Sequence, residues 1–452
     1  MPENKNEKEK RTMMKRLLCV FLTAAMLLNL APVLAETAEG LPPMTTEEIT
    51  LTFTTREIPN ELLEYQAKKF MEAYPNIHVE VLGLDYSTFD ATMANMASEG
   101  KLPDVLGLNW ATDAVANGWL MCLDEFYEKD PDIADMSEQM KKYHEIDGNM
   151  WCVPFECRPS VCVLNRTLFE KYNVEVPDYD WTFDDFVDLV AELNHPEDYN
   201  YGFAAGYQLT NNFVYNYGWD GEKYTFGDDW VSMMERQIEW VSSGVTADSM
   251  TGEEKTAVLG DENADPMAMG HAAMAIVAQY SGYDYINGVN AEKSGCEFLF
   301  YPLPNYDDKA ACETVPGGIS ATCQYPREAW ELAKWMGWGP QATISRSEYF
   351  KEKGELDLNA PCVLNEKAMS VLIENAPEAL KGFYQHMRQP ITMAASTLPG
   401  SLNLVLLLWL GGWGEKMDKG EVTVAEAAVL LREEGVKGVQ DSLNAIRKFT
   451  GK

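Results

Sequence analysis

The residues best placed to do chemistry gather in one stretch, Asp147 to Asn165, which reads DGNMWCVPFECRPSVCVLN. A turn signal, Asp147-Gly148, leads into a β-favouring run. Pro154 and a short charged break at Glu156 and Arg158 follow, and then a second β-favouring run. A long extended segment with polar residues in its middle suits a chain that leaves one domain and enters another past a cleft. Phe155, Glu156 and Arg158 would then face a ligand. The chemistry this implies is recognition: a carboxylate and a guanidinium for polar groups, and a ring for an apolar face.

Templates for catalysis do not assemble. The five histidines, His78, His144, His195, His271 and His386, are scattered, with no HExxH. Gly318-Ile319-Ser320-Ala321 is half of a GxSxG elbow, but Thr322 stands where glycine is needed. Neither a Walker motif nor GxGxxG occurs. Asp261, Asn263 and Asp265 mimic a calcium loop, but Pro266 replaces its glycine and Ala272 its final glutamate. Nine cysteines are present without a CxxC, and the spacing of Cys152, Cys157 and Cys162 matches no metal pattern; they are read as free or disulfide-bonded. No metal or cofactor is expected. A glycosidase pair is spatial and leaves no sequence signature, so Glu156 as a hydrolase acid stays open.

The elements that must hold these residues follow an α/β order. The chain has 452 residues, 46% hydrophobic and 24% charged, which suggests two or three globular domains. Ile49 to Thr55 alternates as a strand, Leu63, Ala67, Phe70 and Met71 recur at helical spacing, and Ile77, Val79 and Val81 alternate again. Ser87 to Ser98 reads as a helix and Asp104 to Leu108 as a strand covered on both faces. Strand, helix, strand, helix, strand is an α/β lobe with a mostly parallel sheet, in which ligands bind beyond the carboxyl ends of strands. Those ends are Thr55-Arg56, Asp85-Tyr86 and Asn109-Trp110. Further on, Thr182 and Asp185 predict a helix start, as does Thr423. Val315 to Ile319 reads as a glycine turn ahead of a strand. In the aromatic tract from 199 to 230, Tyr207, Tyr217 and Trp219 are the loop residues expected to be exposed.

The first 35 residues read as a secretory signal: a basic start at Lys15 and Arg16, an apolar stretch Leu17 to Leu30, and small residues at Val33-Leu34-Ala35. A flexible leader, 36–46, follows. The net charge of −35 argues against nucleic acid or anionic membrane as main partners.

In ordered pieces from Ile49 to the C-terminus the chain resembles the extracellular sugar-type solute-binding proteins of ABC importers, the maltose-binding-protein-like family. The pieces include LTFTTREIPNELLEYQAKKF, EGKLPDVLGLNW, DGNMWCVPFE, the run from VLNRTLFEKY to DLVAEL, MGHAAMAIVAQY, FYPLP, VPGGISA and GEVTVAEA. The resemblance implies an α/β, two-lobed periplasmic-binding-protein-like fold with three interlobe crossings and a cleft between the lobes. The first lobe takes 47–153 and 304–345, the second 154–303 and 346–452. It adds Gln279, Tyr280 (where the family often has a sugar-stacking Trp), Tyr283 and the turn at Gly317 and Gly318 to Arg56, Asp85, Trp110, Phe155, Glu156, Arg158, Tyr207 and Trp219 as ligand-binding positions. Two features depart from the family. Residue 36 is Glu, where Gram-positive members carry a lipid-modified cysteine, and Leu164 replaces a usual aromatic.

The implied function is extracytoplasmic capture of a carbohydrate, as an oligosaccharide, and its delivery to the permease membrane subunits by hinge closure. The implied protein is an exported monomer and not an enzyme. Its alternatives are a secreted carbohydrate-active hydrolase and a surface sugar-capture protein without an importer. Two arginines near the cleft leave an acidic sugar open.

Overall fold

Alternation of apolar residues with Thr produces β1, Ile49–Thr54, which buries Ile49, Leu51 and Phe53. The computed structural model describes residues 40–56, 60–205, 209–286, 288–357, 359–392, 397–409 and 411–451. The expected signal segment, 1–35, and Tyr207 lie outside these residues. The helix Asn60–Ala73 lays Leu62, Leu63, Ala67 and Phe70 into the core, and the chain returns as β2, Ile77–Val81. The helix Phe89–Ser98 leads to β3, Val105–Gly107. Both β2 and β3 pair parallel with β1, as the strand-helix alternation predicts.

The remaining strands are β4 (Glu145–Ile146), β5 (Asn149–Met150), β6 (Val153–Asn165), β7 (Tyr201–Phe203), β8 (Ala272–Ala278), β9 (Phe298–Pro302), β10 (Lys309–Ile319) and β11 (Gln389–Thr392). The main sheet runs β2-β1-β3-β10-β6-β8-β7, with β11 on β10 and β9 on β6. β6 is the junction. Its residues Val153 to Pro159 pair with β10, and Ser160 to Leu164 pair with β8. On its other edge, Val161 to Asn165 pair with β9. The partner change falls between Pro159 and Ser160, inside the stretch that composition marks as a crossing.

Pairing slips once. Val315 faces Glu156, but Pro316 faces Pro154, so Phe155 has no opposite residue. Neither proline has an N–H to offer the ladder, which makes this the cheapest place for a bulge.

Three hydrophobic cores are the largest among the described residues, and the crossing strand lies in the first two. The first joins Phe53, Phe70, Phe155, Trp330 and Trp338. The second joins Phe169, Trp181, Phe186, Phe203 and Met274, and the third Tyr224, Phe226, Trp230, Leu404 and Leu431. One helix runs past a position where the sequence suggests a boundary. The helix Pro340–Lys353 passes through residue 345 unbroken, and Tyr349, Phe350, Cys362 and Val363 still pack into the first core. The closing helix Val424–Thr450, about 40 Å long by its residue count, starts on the third core. It ends with Ile446 packed among Phe89, Leu108 and Trp151. Both predicted helix starts carry capping boxes, Thr182 with Asp185 and Thr423 with Glu426.

Cys152, just before β6, and Cys157 and Cys162 within it are free and buried, small apolar fillers. Cys152 lies against the carbonyl of His144, a fully buried imidazole whose Nδ1 donates to the Met140 carbonyl at 2.7 Å. Burial pulls the His144 pKa down to about 4, against that hydrogen bond. The folded state therefore holds it neutral while the unfolded chain takes a proton near pH 6.5. Stability should fall as pH drops from 6.5 towards 4, by about 3 kcal/mol from this group. Thermal melts across that range should show a shallower acid slope for His144→Gln than for the wild type.

Candidate functional site

The parallel strands β1, β2 and β3 put their carboxyl ends on one edge. β10 is antiparallel to β3, and β6 is antiparallel to β10. β6 therefore runs with the first three strands and carries Glu156 and Arg158 out past that edge. Thr55 and Arg56 follow β1, and Asp85 follows β2. Trp110 is the residue before the helix Ala111–Ala116, half-buried at its entry.

Around Glu156 these elements converge. Its carboxylate accepts from Thr55 Oγ1 at 3.2 Å and from the Arg158 guanidinium at 2.6 Å. Gly107 makes room for this: a Cβ there would stand 2.2 Å from Thr55 Oγ1. Arg158 Nε donates to Asn359 Oδ1 at 3.2 Å, and the Asn359 N–H donates to Asp357 Oδ1 at 3.0 Å. Asp357 in turn receives both Nε (3.1 Å) and a terminal nitrogen of Arg346, a bidentate pair. Arg56 reaches Glu313 at 3.5 Å, and Glu313 is the residue opposite Arg158 in the ladder.

Burial pushes the Glu156 carboxyl up, and the charges of Arg158, Arg346 and Arg56 oppose that push. Burial likewise works against the Arg346 cation, but the Asp357 carboxylate overrides it and holds the guanidinium above its ordinary value.

Gln279 opens the helix Gln279–Ile286 and is fully buried. Its amide nitrogen donates to the Asp357 carbonyl at 3.2 Å and to the hydroxyls of Tyr283 and Tyr384. Its carboxamide oxygen has no partner among the described residues. Tyr280, one residue on, is 44% exposed and offers a free ring face.

The structure thus brings Arg56, Glu156, Arg158 and Gln279 to one junction and leaves Tyr280 exposed in the first turn of the helix that Gln279 opens. Others are placed differently. Phe155 is buried against Phe53 and belongs to the first core, so it supports the site from behind. Gly317 and Gly318 are not in a turn. They lie inside β10, and glycine is needed because added Cβ atoms would run into Phe155 and Leu120. Tyr283 is a core residue stacked on Phe300, its hydroxyl spent on Gln279 and Tyr384. Trp219 is half-buried on Tyr224, and Tyr217, expected exposed, stacks on Phe226 in the third core. Asp85 is exposed, but its carboxylate is bound by the backbone and hydroxyl of Ser87, which hold its pKa down.

Sequence reasoning missed Arg346, Asp357 and Asn359. Arg346 is hidden in a helix, and Asp357 and Asn359 sit in an irregular segment whose only signal was polar residues before Pro361. Among the described residues no group of three or more His, Cys, Asp or Glu side chains could hold a metal.

Two substitutions test this architecture. Asp357→Ala leaves Arg346 buried without its carboxylate and should cost about 3–5 kcal/mol in urea unfolding. Gly317→Ala drives a methyl into the Phe155 ring and should cost about 1–3 kcal/mol in the same assay, with a matching fall in the denaturation midpoint.

A sequence profile described as bacterial extracellular solute-binding protein matches residues 55–337. Solved structures share the fold. An ABC substrate-binding protein from Listeria monocytogenes in complex with cycloalternan aligns at TM-score 0.58 and 16% identity over 90% of this chain and 100% of that one. A sugar transporter from Rhizobium etli in an open conformation aligns at TM-score 0.67 and 16% identity over 86% and 99%. A cyclic α-maltosyl-1,6-maltose binding protein from Arthrobacter globiformis aligns at 0.64 and 16% over 87% and 99%. The family match covers well over half of the chain, and the solved structures align with 86–90% of it: this chain belongs to the bacterial extracellular solute-binding protein family.

Proposed function

We propose that the chain is the extracytoplasmic substrate-binding component of an ABC importer, capturing an oligosaccharide between its two lobes without altering it and passing it, as a single exported chain, to the permease. The observation that carries this is the junction at β6. A hydrogen-bonding network is set where one strand passes between two cores, with an exposed aromatic ring, Tyr280, next to it. A sugar presents a face of C–H groups and a rim of hydroxyls, and it is bound by a flat ring for the first and by planar polar groups for the second. The named ligands of the Listeria and Arthrobacter proteins, cycloalternan and a cyclic maltosyl-maltose, are of this kind. Arg56, Trp110, Glu156, Arg158, Gln279 and Tyr280 are the proposed contacts, with Asp85 and Trp219 as further candidates. Lobe closure would turn on β6, on the connection between β9 and β10, and on the segment after Lys353.

Thermal-shift screening against oligosaccharides tests this. A ligand present at 100 times its Kd adds about 2.7 kcal/mol of stability. Tyr280→Ala should weaken such binding by about 1–3 kcal/mol and leave the melting temperature of the ligand-free protein nearly unchanged. A screen in which no sugar shifts the melt, or one in which the glycan is cleaved, would reject the reading.

A further inference from the structure

The site's charges do more than hold it together. Three cations meet at the junction, and each faces a carboxylate of the same chain: Arg158 with Glu156, Arg346 with Asp357, and Arg56 with Glu313. Two of these pairs are nearly closed to water, with side-chain exposures of 10% and 0% for Arg158 and Glu156, and 8% and 10% for Arg346 and Asp357. The junction is therefore close to neutral although it is rich in charge. On the same sheet edge Asp85, Asp90 and Asp113 add negative charge, with Asp90 accepting from Asn109 beside Trp110. The whole chain carries −35.

Resting on the carbohydrate reading above, we propose that this site selects uncharged saccharides against uronates and other anionic sugars, and that Glu156 is the specificity-determining residue. A ligand carboxylate that paired with Arg158 would have to compete with Glu156 for its guanidinium, and so weaken the pairing of a buried carboxylate, on an edge that already carries Asp85, Asp90 and Asp113. A hydroxyl-bearing neutral ligand asks for no such displacement. It can accept from guanidinium N–H groups, or donate to the more exposed Glu313 carboxylate, while the internal pairs stay made. The two arginines that from sequence leave an acidic ligand open are thus already engaged. Glu313, at 40% side-chain exposure, plays the same part for Arg56 more weakly, because its charge is better hydrated.

The test is calorimetry with matched probes: xylo-oligosaccharides with and without a glucuronate branch, and galacto-oligosaccharides against galacturono-oligosaccharides, with malto- and manno-oligosaccharides as further neutral members. The wild type should bind a neutral member at least about tenfold tighter than its uronate counterpart. Glu156→Gln should shrink or reverse that ratio by about tenfold or more, and Glu313→Gln by less. Glu313→Gln, on an exposed side chain, preserves a variant readout should Glu156→Gln fail to fold, and the wild-type ratio needs no variant. Equal or tighter binding of a uronate by the wild type overturns this inference and leaves sugar capture standing. Ratios unmoved in both variants overturn the role of Glu156. Binding of no saccharide of either class removes the carbohydrate reading, and this inference with it.

Discussion

Glu156 is a carboxylate taken out of water at the point where β6 is about to exchange one set of partners for another, and the surrounding structure answers that cost. An isolated buried charge is strongly unfavourable; a charge with a guanidinium at 2.6 Å and a hydroxyl at 3.2 Å is tolerable. Arg158, once committed to Glu156, needs a second acceptor for its Nε and finds Asn359. Asn359 is held by Asp357, and Asp357 by Arg346 and, through its carbonyl, by Gln279. Each link draws in a different element: β1, the crossing strand, the helix Pro340–Lys353, and the first turn of Gln279–Ile286. Desolvating one side chain thus ties together segments that are up to 300 residues apart in the chain.

Such a network favours specificity of arrangement over raw stability. Buried ion pairs contribute little net stability compared with apolar packing of the same volume, yet they strongly penalise any misalignment. Behind the network, packing is dry and tight. Phe155 is the extra residue of the bulge opposite Val315 and Pro316, and Gly317 and Gly337 present bare backbone to its ring. The polar face of the strand can be oriented only because its apolar face is so closely fitted.

Much of the fold was legible. Period-two and period-3.6 patterns marked β1, β2, β3 and the helices between them, because local periodicity records which face is buried. The composition of 147–165 marked the crossing, and Thr182 and Thr423 announced their helices because a cap is a local hydrogen bond. The candidate site was legible only in part. Arg56, Glu156 and Arg158 were identifiable as polar residues at strand ends and at the crossing. Gly317 and Gly318 suggested a turn, because a pair of glycines in sequence does not tell a positive φ from a close approach by a distant ring. Tyr217, Tyr283 and Phe155 suggested ligand contacts, because an aromatic residue carries no mark of whether it faces a cleft or a core.

The sequence by itself determined the α/β order, the long extended stretch at which strand partners change, the absence of recognised catalytic motifs and the family to which the chain belongs. All of these rest on local pattern or ordered spacing along the chain. Only the tertiary structure decided which partners the charged residues take. Arg346, Asp357 and Asn359 lie about 190 to 200 positions from the strand they support. Electrostatic pairing depends on distance in space and on exclusion of water, and neither is written in the neighbours of a residue. For the same reason the crossing stretch, readable as a hinge from composition, gained its chemical character only when its carboxylate and guanidinium were seen to be joined to each other.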